Sequence, residues 1–201
     1  MSDTDTVVSG GPIGILAYGS LTSDPGDEIG PLIASRKAMM TPFGIEYGRY
    51  STRTRGGAPT VVPHPKGAQV AATVLVLRDD VTLQDAKDML WRRETGNVKP
   101  KRPTERTSVR IAEHANLCGL SMVISTEFAR DCIEDPEPAV LAQAAIASVR
   151  HAPLGKDGIT YLMSLMDHEI ITPLTHAYRD EILRQTGTAS LRAALVAARQ
   201  T

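Results

Sequence analysis

A short apolar run that breaks at a glycine constrains this chain more than any other stretch. Ile13 to Leu21 reads as a buried first strand, and it ends in Ala17-Tyr18-Gly19-Ser20-Leu21. A strand that stops in a Gly-containing turn can offer several backbone N–H groups to a ligand. Glycine accepts a positive φ there and lets the backbone approach a bound group closely. Such a turn can hold a carboxylate or an oxyanion without a charged side chain. The same pattern also occurs as a turn with no further role.

The rest of the chain switches between strand and helix periods. Phe43 to Tyr50 reads as a strand, Arg53 to Gly57 as a basic, glycine-rich loop, and Thr60-Val61-Val62 as a short strand. Pro63 and Pro65 restrict the pairing of that short strand and suggest an edge. Gln69 to Leu77 is a strand rich in β-branched residues. Thr82 then stands as an N-cap, and Leu83, Ala86, Leu90 and Trp91 recur at helical spacing up to a stop at Gly96. Asn97 to Arg106 reads as a loop, and Ser108 to Ala115 and Leu117 to Ile124 as strands, with Asn116 near their turn. Asp135 to Pro138 is a linker and helix entry. Ala139 to Val149, Ile159 to Ile171, Leu174 to Gln185 and Ser190 to Arg199 read as helices. Strands with one inserted helix, followed by a helical tail, imply an α+β fold with a sheet or barrel at its centre.

The bulk numbers exclude several classes. At 201 residues the chain can bury a full core as one domain, expected over 13–201 behind a flexible leader over 1–12. The net charge is -1, which argues against a general nucleic-acid binder. Apolar runs such as Val74 to Leu77 are too short to span a membrane. The acidic, polar start lacks the order of a secretory signal. Cys118 and Cys132 form no CxxC motif and read as reduced thiols of a cytoplasmic protein. The stripe of Leu191, Leu195 and Ala198 can pack on the protein's own core or on a second copy, so monomer and homodimer are both open.

Few residues carry obvious chemistry. The five histidines are scattered and form no metal-ligand spacing, so no metal is expected. GxSxG, GxGxxG and GxxxxGK[ST] are absent. Lys99, Lys101, Arg102, Arg106 and Arg110 form a basic stretch that reads either as a lid over an anionic substrate or as a solvated loop. Arg53 and Arg55, beside Gly56-Gly57, can clamp a carboxylate or sit in a surface hairpin. Glu94 follows Trp91, Arg92 and Arg93 at a helix end; it reads as a general base or as half of a surface ion pair.

Taken together, these pieces resemble a known family. Ala17-Tyr18-Gly19-Ser20-Leu21 is similar to the YGS(L/N) signature of the gamma-glutamylcyclotransferase superfamily, in which one glutamate follows the central strands, as Glu94 does here. Ser51 to Pro59 looks like the S-x-D-H-R-G-T-P segment of the ChaC-type, glutathione-specific branch. Gly155 to Leu162 is similar to that branch's Gly-Pro-Ser-Gly-x-x-x-x-Tyr-Leu stretch. Arg53-Thr54 stands where the branch has Asp-His, and Gly96-Asn97-Val98 where it has an aromatic residue, which leaves the substrate open.

The resemblance implies a mixed, barrel-like sheet with flanking helices. It also implies a lyase or acyltransferase of glutathione metabolism that cyclises a gamma-glutamyl group to 5-oxoproline and releases an amine, amino acid or peptide. Glu94 would be the general base and acid. Tyr18, Gly19, Ser20 and Leu21 would bind the substrate, and Arg55 its α-carboxylate. No metal or organic cofactor would take part. A binding protein for a small carboxylate on the same fold is the alternative.

Overall fold

The computed structural model describes residues 11–97 and 108–200. Most of the expected leader, and Lys99, Lys101, Arg102 and Arg106 of the basic stretch, lie outside them. Seven strands and six α-helices follow in chain order among the described residues. Strand β1 is Ile13–Ala17, and helix α1 is the single turn Ser20–Ser23. Strands β2 (Ile33–Met40), β3 (Ile45–Ser51), β4 (Ala58–Pro63) and β5 (Ala71–Leu77) come next. Helix α2 (Leu83–Thr95) separates them from β6 (Val109–Ala115) and β7 (Met122–Phe128). Four helices complete the chain: α3 (Pro138–Ser148), α4 (Gly158–Asp167), α5 (Thr175–Thr186) and α6 (Leu191–Gln200).

Five strands form one sheet in the order β2-β5-β1-β7-β6, and β3 and β4 pair as a separate ribbon. The sheet is mixed: β1 runs antiparallel to β5 and parallel to β7. It is open, with β2 and β6 as its edges, which corrects the barrel-like closure expected from the resemblance. Closure would need those edges to pair, and β2 carries Ser35, Arg36 and Lys37, exposed side chains that suit a free edge.

Period-two alternation splits the central strands between two cores. Ile15, Ala17, Leu75, Leu77 and Ile124 bury on one face against Ala86, Met89 and Leu90 of α2. Leu16, Val74, Val76 and Val123 fill the other face with Leu120. A third core joins the β3–β4 ribbon to the last four helices through Ile45, Tyr47, Leu141, Ile159, Leu162, Tyr178 and Ile182. Ala194 and Ala198 of α6 bury into this core, with Leu191 and Leu195 packed against it, so the stripe on the last helix packs on its own chain.

The buried carboxylate of Glu46 ties the ribbon to the entry of α5. It accepts from Thr172 Oγ1 at 2.6 Å, from the Leu174 N–H at 3.0 Å and from the Tyr47 N–H at 2.9 Å. A buried carboxylate persists when its acceptor sites are filled in this way.

Helix α2 follows its local signals. The Thr82 side chain accepts from the Asp85 N–H at 3.1 Å. At the other end Gly96 takes the left-handed conformation, φ 63°. Elsewhere the boundaries move. The first strand stops at Ala17, so Leu21 lies in α1 and not in the strand. Asn116, Cys118 and Gly119 all have positive φ, which makes 116–121 a turn and delays β7 to Met122. Glu169, at φ 57°, ends the run of α4 well before Ile171.

Candidate active site

The turn after β1 owes its shape to Gly19. Its backbone sits at φ 66°, ψ −141°, and a Cβ placed there would come within 2.8 Å of Tyr161 Oη. Only glycine fits both the conformation and the space. The chain then enters α1, so the Ser20 and Leu21 amides have no intrahelical acceptor. Among the described residues no backbone carbonyl of the surrounding turns and loops engages them either. Leu21 is buried, and the Ser20 hydroxyl accepts from Arg93 Nη2 at 3.2 Å.

The last turn of α2 faces this turn. Arg92 is buried and grips Glu28 with two parallel bonds of 2.9 and 2.7 Å, which holds the segment after α1 against the helix. The same bonds raise the affinity of the Arg92 guanidinium for its proton. Arg93 reaches three acceptors: Ser20 Oγ, the Asp24 carbonyl at 2.8 Å, and Glu94 Oε1 at 2.5 Å. The Glu94 side chain is only 14% exposed. Glu94 is thus half of an ion pair, but the pair is recessed rather than at the surface.

The third part comes from the loop after β3. The Arg55 and Gly57 N–H groups both donate to the Ser51 carbonyl, at 3.2 and 3.0 Å, which folds the loop tightly. Arg53 Nη1 donates to the Thr95 carbonyl at 2.9 Å, placing a cation at the C-terminal end of α2. The Arg55 guanidinium carbon lies 4.5 Å from the centre of the Tyr161 ring, and its Nη1 donates to the Lys156 carbonyl at 3.3 Å. Tyr161 stands in the first turn of α4, where the Asp157 side chain caps the helix by accepting from the Thr160 N–H at 2.8 Å.

These parts enclose a cavity of about 1220 Å³. Tyr18, Ser20, Leu21, Arg55 and Glu94 all line it, and Gly19 lies behind, against Tyr161. The chain therefore brings the sequence-selected residues to one place. Burial pushes the Tyr18 hydroxyl well above its ordinary range, and the nearby Glu94 charge adds to the effect. The Tyr18 hydroxyl is buried without a hydrogen-bond partner of good geometry, although Thr126 is close enough to act on it. Burial also raises Tyr161, against the opposing charge of Arg55. Burial lowers Arg55, which nearby Tyr161 partly offsets. The cavity thus combines a recessed carboxylate, neutral phenols and desolvated guanidinium groups, a set that can hold an anionic substrate while a carboxylate moves a proton.

Sequence reasoning missed four contributors. Arg93 was legible only as a neighbour of Glu94, and its bridge to Ser20 spans 73 positions. Tyr161 was visible within the Gly155–Leu162 stretch but had no stated role there. Arg49 and Phe128, on β3 and β7, also line the cavity, and no local motif marks either. Arg110, the described member of the basic stretch, is exposed on edge strand β6 and does not line the cavity.

No protein-family model matches the chain, and no curated protein matches it in sequence. Among solved structures, it is similar to a gamma-glutamyl cyclotransferase specific to glutathione from yeast. The TM-score is 0.54 at 14% identity, covering 87% of this chain and 99% of that one. The likeness is one of fold: a mixed α+β architecture shared with an enzyme. No helix of the described residues is long and apolar enough to cross a membrane.

Proposed function

We propose that this protein is a gamma-glutamylcyclotransferase. The observation that carries the reading is the convergence of Glu94, the Tyr18–Leu21 turn and Arg55 on one cavity. The shared fold with a glutathione-specific gamma-glutamyl cyclotransferase supports it.

The chemistry suits these groups. Glu94 takes a proton from the α-ammonium of a gamma-glutamyl unit. The freed amine attacks the side-chain amide carbonyl of the same unit and closes a five-membered ring. Glu94 returns that proton to the leaving nitrogen, the ring nitrogen sheds a second proton that the released amine takes up as an ammonium, and 5-oxoproline and the amine or amino compound depart. Arg55 holds the α-carboxylate, with its guanidinium kept in plane by the Tyr161 ring. The Ser20 and Leu21 amides bind polar groups of the substrate near the reacting carbonyl. Because the attack is intramolecular, holding the folded conformer supplies much of the rate, an effect that can reach several kcal/mol. The site residues supply the acid–base and binding groups for each of these steps without a cofactor.

The test is release of 5-oxoproline from gamma-glutamyl amino acids, glutathione and gamma-glutamyl amines, with Glu94→Gln beside the wild type. The expected result is turnover of at least one compound, cut by roughly 10²–10⁴-fold in the variant. Turnover that survives the substitution undiminished removes Glu94 from the mechanism. Binding of 5-oxoproline or glutamate without turnover of any compound identifies a binding protein instead.

A further inference from the structure

We propose that Arg49 recognises a carboxylate on the leaving group, so that the site takes gamma-glutamyl amino acids or peptides in preference to gamma-glutamyl amines. This rests on the cyclotransferase reading and names its substrate class.

Arg49 lies on β3 and lines the cavity that holds Glu94. Its guanidinium carbon sits 4.2 Å from the centre of the Phe128 ring. Its Nε is buried and has no hydrogen-bond partner among the described residues. No Asp or Glu oxygen of the described residues comes within 4 Å of it, whereas Arg92 pairs with Glu28 and Arg93 with Glu94. Arg53 has the Thr95 carbonyl. Asp131 is the acidic group that most offsets the Arg49 charge, yet it remains beyond ion-pair distance, and its Oδ2 accepts from Thr52 at 3.5 Å. Burial lowers the pKa of Arg49, as expected of a cation with too few acceptors.

A buried guanidinium N–H without an acceptor is costly, and such groups persist where a ligand completes them. Stacking on Phe128 fixes the plane of the fork before a ligand arrives, which reduces the ordering cost of binding. The cavity therefore presents two guanidinium groups on different walls, Arg55 on Tyr161 of α4 and Arg49 on Phe128 of β7, with Glu94 charge acting on both. A gamma-glutamyl amino acid has the matching pattern: one carboxylate on the glutamyl unit, one on the leaving group, and the scissile amide between them. An amine leaving group would place nothing on Arg49.

The experiment compares kcat/KM for gamma-glutamylglycine, gamma-glutamylglycinamide and gamma-glutamylethylamide by 5-oxoproline release, in the wild type, Arg49→Met and Arg49→Lys. The wild type should favour the acid by about tenfold or more, mostly through KM, as expected for a charge-assisted contact made equally in ground and transition states. Arg49→Met should bring that ratio close to one, and Arg49→Lys should keep part of it. The proposal is overturned by a wild-type ratio near one, by a ratio unchanged in Arg49→Met, or by equal losses on all three compounds, which would put Arg49 on the glutamyl carboxylate. If Arg49→Met does not fold, judged by circular dichroism, Arg49→Lys decides by the same ratio. Turnover without discrimination overturns the role of Arg49 alone, whereas release from none of the compounds overturns the cyclotransferase reading together with it.

Discussion

Arg93 Nη1 lies 2.5 Å from Oε1 of Glu94, its immediate neighbour in sequence. Successive residues of an α-helix project about 100° apart, so this contact needs the arginine side chain to fold across the helix end. The Ser20 hydroxyl and the Asp24 carbonyl hold the other arm of the guanidinium. One side chain thereby fixes the glutamate relative to the turn after β1.

Arg93→Met should free Glu94 from that turn. The expected outcome is a fall in kcat of roughly 10- to 100-fold, the scale of a misplaced catalytic group. Arg93→Lys should recover little, because a single ammonium cannot span three acceptors in different directions. Steady-state kinetics of 5-oxoproline release would show it; equal kcat in wild type and Arg93→Met would remove the clamp role.

Gly19→Ala should destabilise the fold by about 1–3 kcal/mol through its positive φ, with a further cost from the 2.8 Å approach to Tyr161 Oη. Tyr161→Phe in the same chain should restore the second part and leave the first. Gly96→Ala is the control, because its φ is also positive but open space surrounds it. Urea midpoints of the three variants would separate strain from contact, and equal losses at Gly19 and Gly96 would dismiss the contact with Tyr161.

Alkaline stability should fall because of buried phenols. Tyr18, Tyr47, Tyr161 and Tyr178 are all raised above the ordinary 10.0, in each case chiefly by burial. Above pH 10 the unfolded chain loses these protons while the folded chain keeps them. The unfolded state then binds fewer protons, and stability declines with rising pH. The contribution is complete below about pH 10 and is lost progressively above it. Urea midpoints between pH 8 and 11, read beside tyrosinate absorbance, would show unfolding and ionisation advancing together; ionisation of these tyrosines in the folded protein would contradict it.

Much of the architecture was legible because its signals are local. The cap at Thr82, the apolar face of Ala86 and Leu90 and the stop at Gly96 defined α2 to within a residue. Three of the four C-terminal helices, α3, α5 and α6, were as plain, and β-branched residues marked the strand that ends at Leu77, whereas α4 stops at Asp167 and not at Ile171. Strand β2 was not, because its residues are mostly exposed and show no alternating burial to read.

The sequence alone determined the turn at Gly19, the helix that ends beside Glu94 and the capped entry of α4, since capping, helical period and positive φ depend on residues a few positions apart. The tertiary structure decided whether the sheet closes, which cations gather around Glu94, and that Arg49 lines the cavity with its Nε lacking an acceptor among the described residues. Those outcomes depend on strand order and on contacts between residues as distant as Ser20 and Arg93, which no local pattern encodes.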